Sequence, residues 1–140
     1  MLLLDRIDSY DAEKSLLTAS FVVREGNVFY DADIGGLPSW AAVEIMAQAA
    51  AACAGAHDLA RPAGSHPKPG LLLGSRRVLM PRAVYRLGER YTVTSAEVFS
   101  DEESGAFSCA IRDGSGALAA SCTLAAYRPP DFSGFIASAR

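Results

Sequence analysis

Trp40, Glu44 and Gln48 stand four residues apart in the run Trp40-Ala41-Ala42-Val43-Glu44-Ile45-Met46-Ala47-Gln48. A helix would stack them on one stripe, and no other stripe of that run carries polar side chains. A carboxylate with so little polar company is desolvated. That disfavours its charged form and suits it to giving or taking a proton near neutral pH. A plainer reading has Glu44 reaching solvent or pairing with a basic residue such as Arg76 or Arg77. Ahead of the run lie Gly35, Gly36, Leu37, Pro38 and Ser39. A helix beginning there leaves the N–H groups of Ser39 and Trp40 without intrahelical partners, at the positive end of the dipole. Such donors suit a thioester carbonyl on which charge builds. In an ordinary helix start they meet water or the Ser39 hydroxyl.

The element that must position these groups is a helix over about residues 39–53, stopped by Gly55. It is apolar nearly all round, as expected of a helix wrapped by a curved sheet. The alanines at 41, 42, 47 and 49–52 keep it slim enough for close approach. Strands are expected from an apolar run at 2–7, from period-two alternation at 15–24 and 117–127, and from further runs between turn residues at 71–81, 90–100 and 106–113. Glu25-Gly26-Asn27 reads as a turn into Val28-Phe29-Tyr30, while Ser104-Gly105 and Gly114-Ser115-Gly116 read as hairpin turns. Residues 57–70, rich in His, Pro, Gly and Ser, read as an exposed loop, and 128–140 as a tail that packs on the sheet or frays.

With 140 residues, half of them hydrophobic, and a formal net charge of −3, the chain suits one domain with its own core and disfavours a nucleic-acid partner. The apolar opening ends at Asp5 and Arg6, too soon for a signal or a membrane span, so a cytoplasmic protein is expected. Cys53, Cys109 and Cys122 are scattered without metal or disulfide spacing and read as core thiols. No motif calls for a metal or an organic cofactor. So apolar a small domain also implies a subunit interface, most simply a two-fold homodimer.

Residues 38–48 resemble the helix of the hot-dog 3-hydroxyacyl-[acyl-carrier-protein] dehydratases, where a Pro-Gly start is followed by Glu, Met, Ala and Gln at this spacing. Leu2-Leu3-Leu4-Asp5-Arg6-Ile7, Leu73-Gly74-Ser75-Arg76-Arg77-Val78 and Leu87-Gly88-Glu89-Arg90-Tyr91 resemble further segments of that family. The Leu-Pro-Ser-Trp variant is most similar to the aryl-polyene branch. The resemblance implies an α+β hot-dog domain over 1–140, with its core in 1–127 and five to six curved antiparallel strands around the long helix. It implies dehydration of 3-hydroxyacyl thioesters carried on acyl carrier protein, and a homodimer, higher homo-oligomer or hetero-oligomer with a second hot-dog protein. Glu44 would inherit the acid/base role. Gln48 would orient Glu44 or line the acyl tunnel, Gly36 and the Ser39 N–H would hold the thioester, and Trp40 would shape the tunnel mouth or anchor the core. A cationic patch for the acidic carrier is expected from Arg76, Arg77, Arg82 and Arg86.

One departure from the family is serious. Its usual histidine lies just before the helix, but residues 29–36 contain none, and Asp33 is the nearest polar substitute. His57 and His66 are the only histidines of the chain. His57 is thirteen residues past Glu44, about 20 Å along a continuous helix. His66 beside Pro67 reads as a solvated loop residue, although a dimer could bring either one across. Relatives also carry a Pro-His ahead of the first strand. One explanation is therefore that Met1 is internal to a longer product, which a stop codon directly upstream would exclude. Three readings follow: a dehydratase, a low-activity subunit that binds acyl chains or pairs with a histidine-bearing hot-dog partner, and an acyl thioesterase.

Overall fold

The computed structural model describes residues 2–60 and 70–138. Its strands are β1 (Arg6–Asp11), β2 (Leu16–Val22), β3 (Gly36–Pro38), β4 (Leu71–Leu79), β5 (Val84–Arg86), β6 (Arg90–Ser100), β7 (Ser104–Arg112) and β8 (Leu118–Tyr127), with helices α1 (Ala41–Leu59) and α2 (Phe132–Ser138). Six strands form one antiparallel sheet in the order β1-β2-β6-β7-β8-β4, while β3 and β5 form a two-stranded ribbon. The long helix lies on the inner face of the sheet, the hot-dog arrangement that the resemblance implies. Alternation explains which face is inner. Phe107, Cys109 and Ile111 of β7 and Ala120, Cys122 and Leu124 of β8 are buried against the helix side. From α1, Ala41, Ala42, Ile45, Met46, Ala49 and Cys53 complete this core. Burying Ile45 and Met46 stabilises the pairing by roughly 1.5–3 kcal/mol each.

Several expected boundaries move. The helix runs through Gly55 to Leu59, because sheet packing outweighs the roughly 0.5–1 kcal/mol that a mid-helix glycine costs. Residues 2–4 are not strand, although Leu3 and Leu4 are buried in the core, and β1 begins only at Arg6. Val28, Phe29 and Tyr30 are turn and irregular backbone, because Asn27 Oδ1 accepts the Phe29 N–H and the Asn27 carbonyl accepts the Tyr30 N–H. The β6–β7 hairpin turns at 101–103 rather than at Ser104-Gly105. There Asp101 Oδ1 accepts the N–H groups of Glu103 and Ser104 together with the Ser104 hydroxyl, and these bonds hold the Asp101 carboxyl below the usual carboxylate range. The turn at Gly114-Ser115-Gly116 is present, with Gly116 at φ +87°. Part of the tail folds as α2, whose Phe135 ring meets Tyr127 edge to face.

Arg82 is partly buried and held by two carboxylates rather than standing as a free cation. Its guanidinium donates to Glu89 Oε2 (3.1 Å), the Tyr91 hydroxyl (3.3 Å) and Asp113 Oδ2, and the Tyr91 hydroxyl itself donates to Glu89. Burial, then the bond to Glu89, pushes the Tyr91 hydroxyl well above its ordinary value. The Tyr91 ring stacks on Phe21 at 5.3 Å and meets Tyr85 edge to face at 4.9 Å. Tyr85 is pushed up to about 12 by burial, and among the described residues its hydroxyl has no partner. Arg76, Arg77 and Arg86 remain exposed, with no ion pair among the described residues.

Candidate active site at the start of the long helix

A tight turn precedes the helix. The Asp31 carbonyl accepts the N–H groups of Ile34, Gly35 and Gly36, and the chain turns through Gly35 at φ +70°. Asp33 sits in this turn, exposed, with its own N–H donating to Asp31 Oδ1 (2.9 Å). Among the described residues no hydrogen bond or ion pair joins Asp33 to Glu44. Gly36 is buried, its N–H is held by Asp31, and a Cβ there would lie 2.0 Å from the Tyr85 carbonyl oxygen. The structure thus gives Gly36 a packing role in the β3–β5 ribbon.

After Pro38, Ser39 and Trp40 form one tight turn: the Ser39 carbonyl accepts the Ala42 N–H and the Trp40 carbonyl accepts the Val43 N–H. The N-cap residue Trp40 makes no side-chain cap, and among the described residues no helix-start N–H donates to the Ser39 hydroxyl. Among the described residues the N–H groups of Ser39 and Trp40 have no acceptor, as the sequence leads one to expect. Trp40 is no core anchor. It is 58% exposed and meets Phe29 edge to face at 5.1 Å, forming an aromatic rim beside the helix start.

Glu44 is partly buried, one turn inside the helix, and makes no ion pair among the described residues, with Arg76 and Arg77 included. Its neighbour on the stripe is Gln48. Gln48 Oε1 accepts the Leu3 N–H at 2.7 Å. Because Leu3 can only donate there, the oxygen of the amide must face it, which turns Nε2 toward Glu44 Oε1 (3.4 Å). The N-terminal segment, Gln48 and Glu44 therefore form one chain of contacts that sets the carboxylate's orientation. The tie to Leu3 is not legible in the sequence, since nothing local links residues 45 positions apart.

Below Glu44 the same helix face is lined by alanines. Ala47, Ala50, Ala51 and Ala54 wall a cavity of about 260 Å³, closed on the sheet side by Leu71 and Leu72 of β4 and floored by Phe107 and Leu124. Ala47 and Ala51 follow Glu44 by three and seven residues, so they stand on the helix face beside it, although Glu44 itself does not line the cavity. The alanine spacing is the sequence signal for it. Read alone it said only that the helix is slim.

His57 lies in the last turn of the continuous helix, at the opposite end from Glu44, and His66 falls outside the described residues. No group of three or more His, Cys, Asp or Glu able to hold a metal occurs among the described residues. The three cysteines are buried; burial pushes the thiols of Cys53 and Cys122 up, and Cys109 to about 12. No helix among the described residues is long and apolar enough to cross a membrane.

A partly buried carboxylate, two amides with no acceptor among the described residues and the alanine wall of a groove thus share the start and one side of a single helix. The sequence profile of the ApeP-like family, described as ApeP dehydratase, matches residues 1–137. Among solved structures, the chain is similar to one in the dehydratase heterocomplex ApeI:P from Xenorhabdus doucetiae, with 25% identity and a TM-score of 0.85 over 99% of this chain and 90% of that one. It also resembles a hypothetical thioesterase protein with coenzyme A from Streptococcus pneumoniae (12% identity, TM-score 0.69, 89% and 84% covered). The PaaI protein of E. coli is similar as well (11% identity, TM-score 0.67, 89% and 78% covered). These last two likenesses show the hot-dog fold alone. No curated protein matches the chain.

Proposed function

From the premise that the chain belongs to the ApeP-like dehydratase family, we propose that it takes part in dehydrating 3-hydroxyacyl thioesters, presented on acyl carrier protein in the cytoplasm, to trans-2-enoyl thioesters. The observation that carries this reading is the Glu44–Gln48 pair set between free helix-start amides and an alanine-lined groove. In this reading the Ser39 and Trp40 amides hold the thioester carbonyl, which acidifies the C2 proton and stabilises the charge that develops when it leaves. The acyl chain lies along Ala47 and Ala51, which puts C3 beside Glu44. Glu44 protonates the departing C3 hydroxyl, so the leaving group is water. The exposed Arg76, Arg77 and Arg86 supply the cationic surface for an acidic carrier.

Removing the C2 proton needs a base, and no histidine lies near Glu44 among the described residues. A second hot-dog subunit supplies it in this reading, and the exposed edge strand β4 is the surface proposed for its docking. At one edge of the sheet β1 carries Arg6 and Asp8, paired to each other at 2.7 Å, a charged edge that resists further pairing. At the other edge β4 presents Leu72 (50% exposed), Leu73 (65%) and Leu79 (57%) beside backbone that is unpaired on its outer side. In this reading a second sheet continues that edge, which also carries the exposed Arg76 and Arg77. Leu73→Glu is expected to leave the fold intact, because the side chain is exposed, and to shift the sedimentation coefficient to that of the lone chain. An unchanged assembly would remove β4 from the interface.

The activity is tested by offering the purified protein, alone and with a histidine-bearing hot-dog partner, a 3-hydroxyacyl or trans-2-enoyl thioester while following enoyl absorbance and free thiol together. The reading expects enoyl change without thiol release, strongest with the partner present. Thiol release would instead identify a thioesterase, and silence in every combination would leave an acyl-binding subunit.

A further inference from the structure

Arg128 is the one charged residue in the wall of the groove below Glu44. It also lines a second cavity, of about 540 Å³, whose walls include Asp58, Asp101, Glu102 and Glu103. Among the described residues the two cavities share Arg128 and no other wall residue, so its side chain is the partition between them. Three elements hold that partition in place. The Arg128 guanidinium donates to Asp58 Oδ1 at 3.4 Å, and Asp58, in the last turn of α1, is itself buried. The Arg128 N–H donates to the Glu103 carbonyl, in the β6–β7 turn. Gly70 lies against the Arg128 stem, where a Cβ would meet Arg128 Cγ at 3.4 Å.

We propose that the Arg128–Asp58 pair is the end stop of the groove and sets the longest acyl chain the site accepts. The proposal rests on the reading of the groove as the acyl site. Asp58 follows Glu44 by fourteen residues, about 21 Å along the helix axis, so a chain with its C3 at Glu44 runs the length of the alanine face before meeting the pair. Past that point, further methylenes would have to separate an ion pair whose carboxylate is buried and whose guanidinium is partly so, and enter a cavity lined by Asp58, Asp101, Glu102 and Glu103, and neither step is favourable. Arg128 touches no reacting atom; it is a specificity-determining residue.

The test uses saturated acyl N-acetylcysteamine thioesters from butanoyl to hexadecanoyl, titrated calorimetrically into the full chain. These ligands carry no C3 hydroxyl, so binding is read whether or not the protein dehydrates anything. Wild-type affinity is expected to rise with chain length up to a break and then rise no further. In Arg128→Ala the break moves to longer chains, with affinity rising roughly fourfold for each further methylene and short chains binding as before. Should loss of one partner leave Asp58 buried and the fold weakened, Arg128→Ala/Asp58→Asn removes both charges and is expected to show the same shift. A break that stays at the wild-type length in a folded variant overturns the end stop and leaves the acyl groove standing. Failure of every thioester to bind the wild-type chain overturns both.

Discussion

Glu44→Gln is expected to lower the rate of enoyl formation about 10²–10⁴-fold, the usual range for loss of a positioned acid or base, with the fold retained. The amide fills the space of the carboxyl and still offers an oxygen to Gln48 Nε2, so the contacts from Leu3 through Gln48 survive. What is lost is the proton for the departing hydroxyl, since an amide does not supply one at neutral pH. Glu44 is only partly buried and unpaired, so no ion pair is broken and the melting temperature is expected to stay near wild type. Thioester binding should also persist, because the amide donors at Ser39 and Trp40 and the alanine groove are untouched. Full activity in this variant would remove Glu44 from the chemistry and, with it, the central assignment. Loss of activity together with loss of binding would point instead to a structural role.

Gly36→Ala is expected to cost about 3 kcal/mol of stability, the upper end for forcing volume into a packed site. The added Cβ would meet the Tyr85 carbonyl oxygen at 2.0 Å, its carbon at 2.8 Å and Arg86 Cα at 3.0 Å. All three are backbone atoms, so no side chain can rotate away and the whole β3–β5 ribbon must shift. In a chain of this size such a loss lowers the melting temperature by roughly 10 °C. Because the ribbon leads straight into Ser39 and Trp40, it should also misplace the amide donors and weaken thioester binding. The matched control is Gly55→Ala. There a Cβ meets nothing within 4 Å, and a helix that continues to Leu59 should gain roughly 0.5–1 kcal/mol. A Gly36→Ala protein as stable as wild type would show that the ribbon yields freely and would withdraw the packing role given to Gly36.

Much of the architecture was legible before any coordinates. Period-two alternation located β2 and β8, and runs bounded by turn residues located β4, β6 and β7, to within two residues at the ends. The stripe of Trp40, Glu44 and Gln48 followed from helical periodicity alone, and the spacing of that stripe carried the family likeness that the profile bears out. The misplacements share a different cause. Ser104-Gly105 is a good turn pair, yet Asp101 draws the turn three residues earlier by accepting three local donors. Gly55 is a good helix stop, yet the helix passes through it, since the cost of one glycine is smaller than the gain from packing the turns beyond it.

By itself, then, the sequence determined the local periodicities and the chemical identities on the first turns of the helix: the acid Glu44, the amide Gln48 and the alanines around them. Those properties depend only on residue type and on geometry repeated every two or 3.6 residues. Tertiary structure alone decided which groups meet. It tied Gln48 to Leu3, drew Arg82 into contact with Glu89, Tyr91 and Asp113, turned Trp40 outward, pressed Gly36 against Tyr85 and set Arg128 in the wall of the groove. Most of these contacts join residues far apart in the chain, and their register is set by the sheet as a whole, which no local pattern encodes.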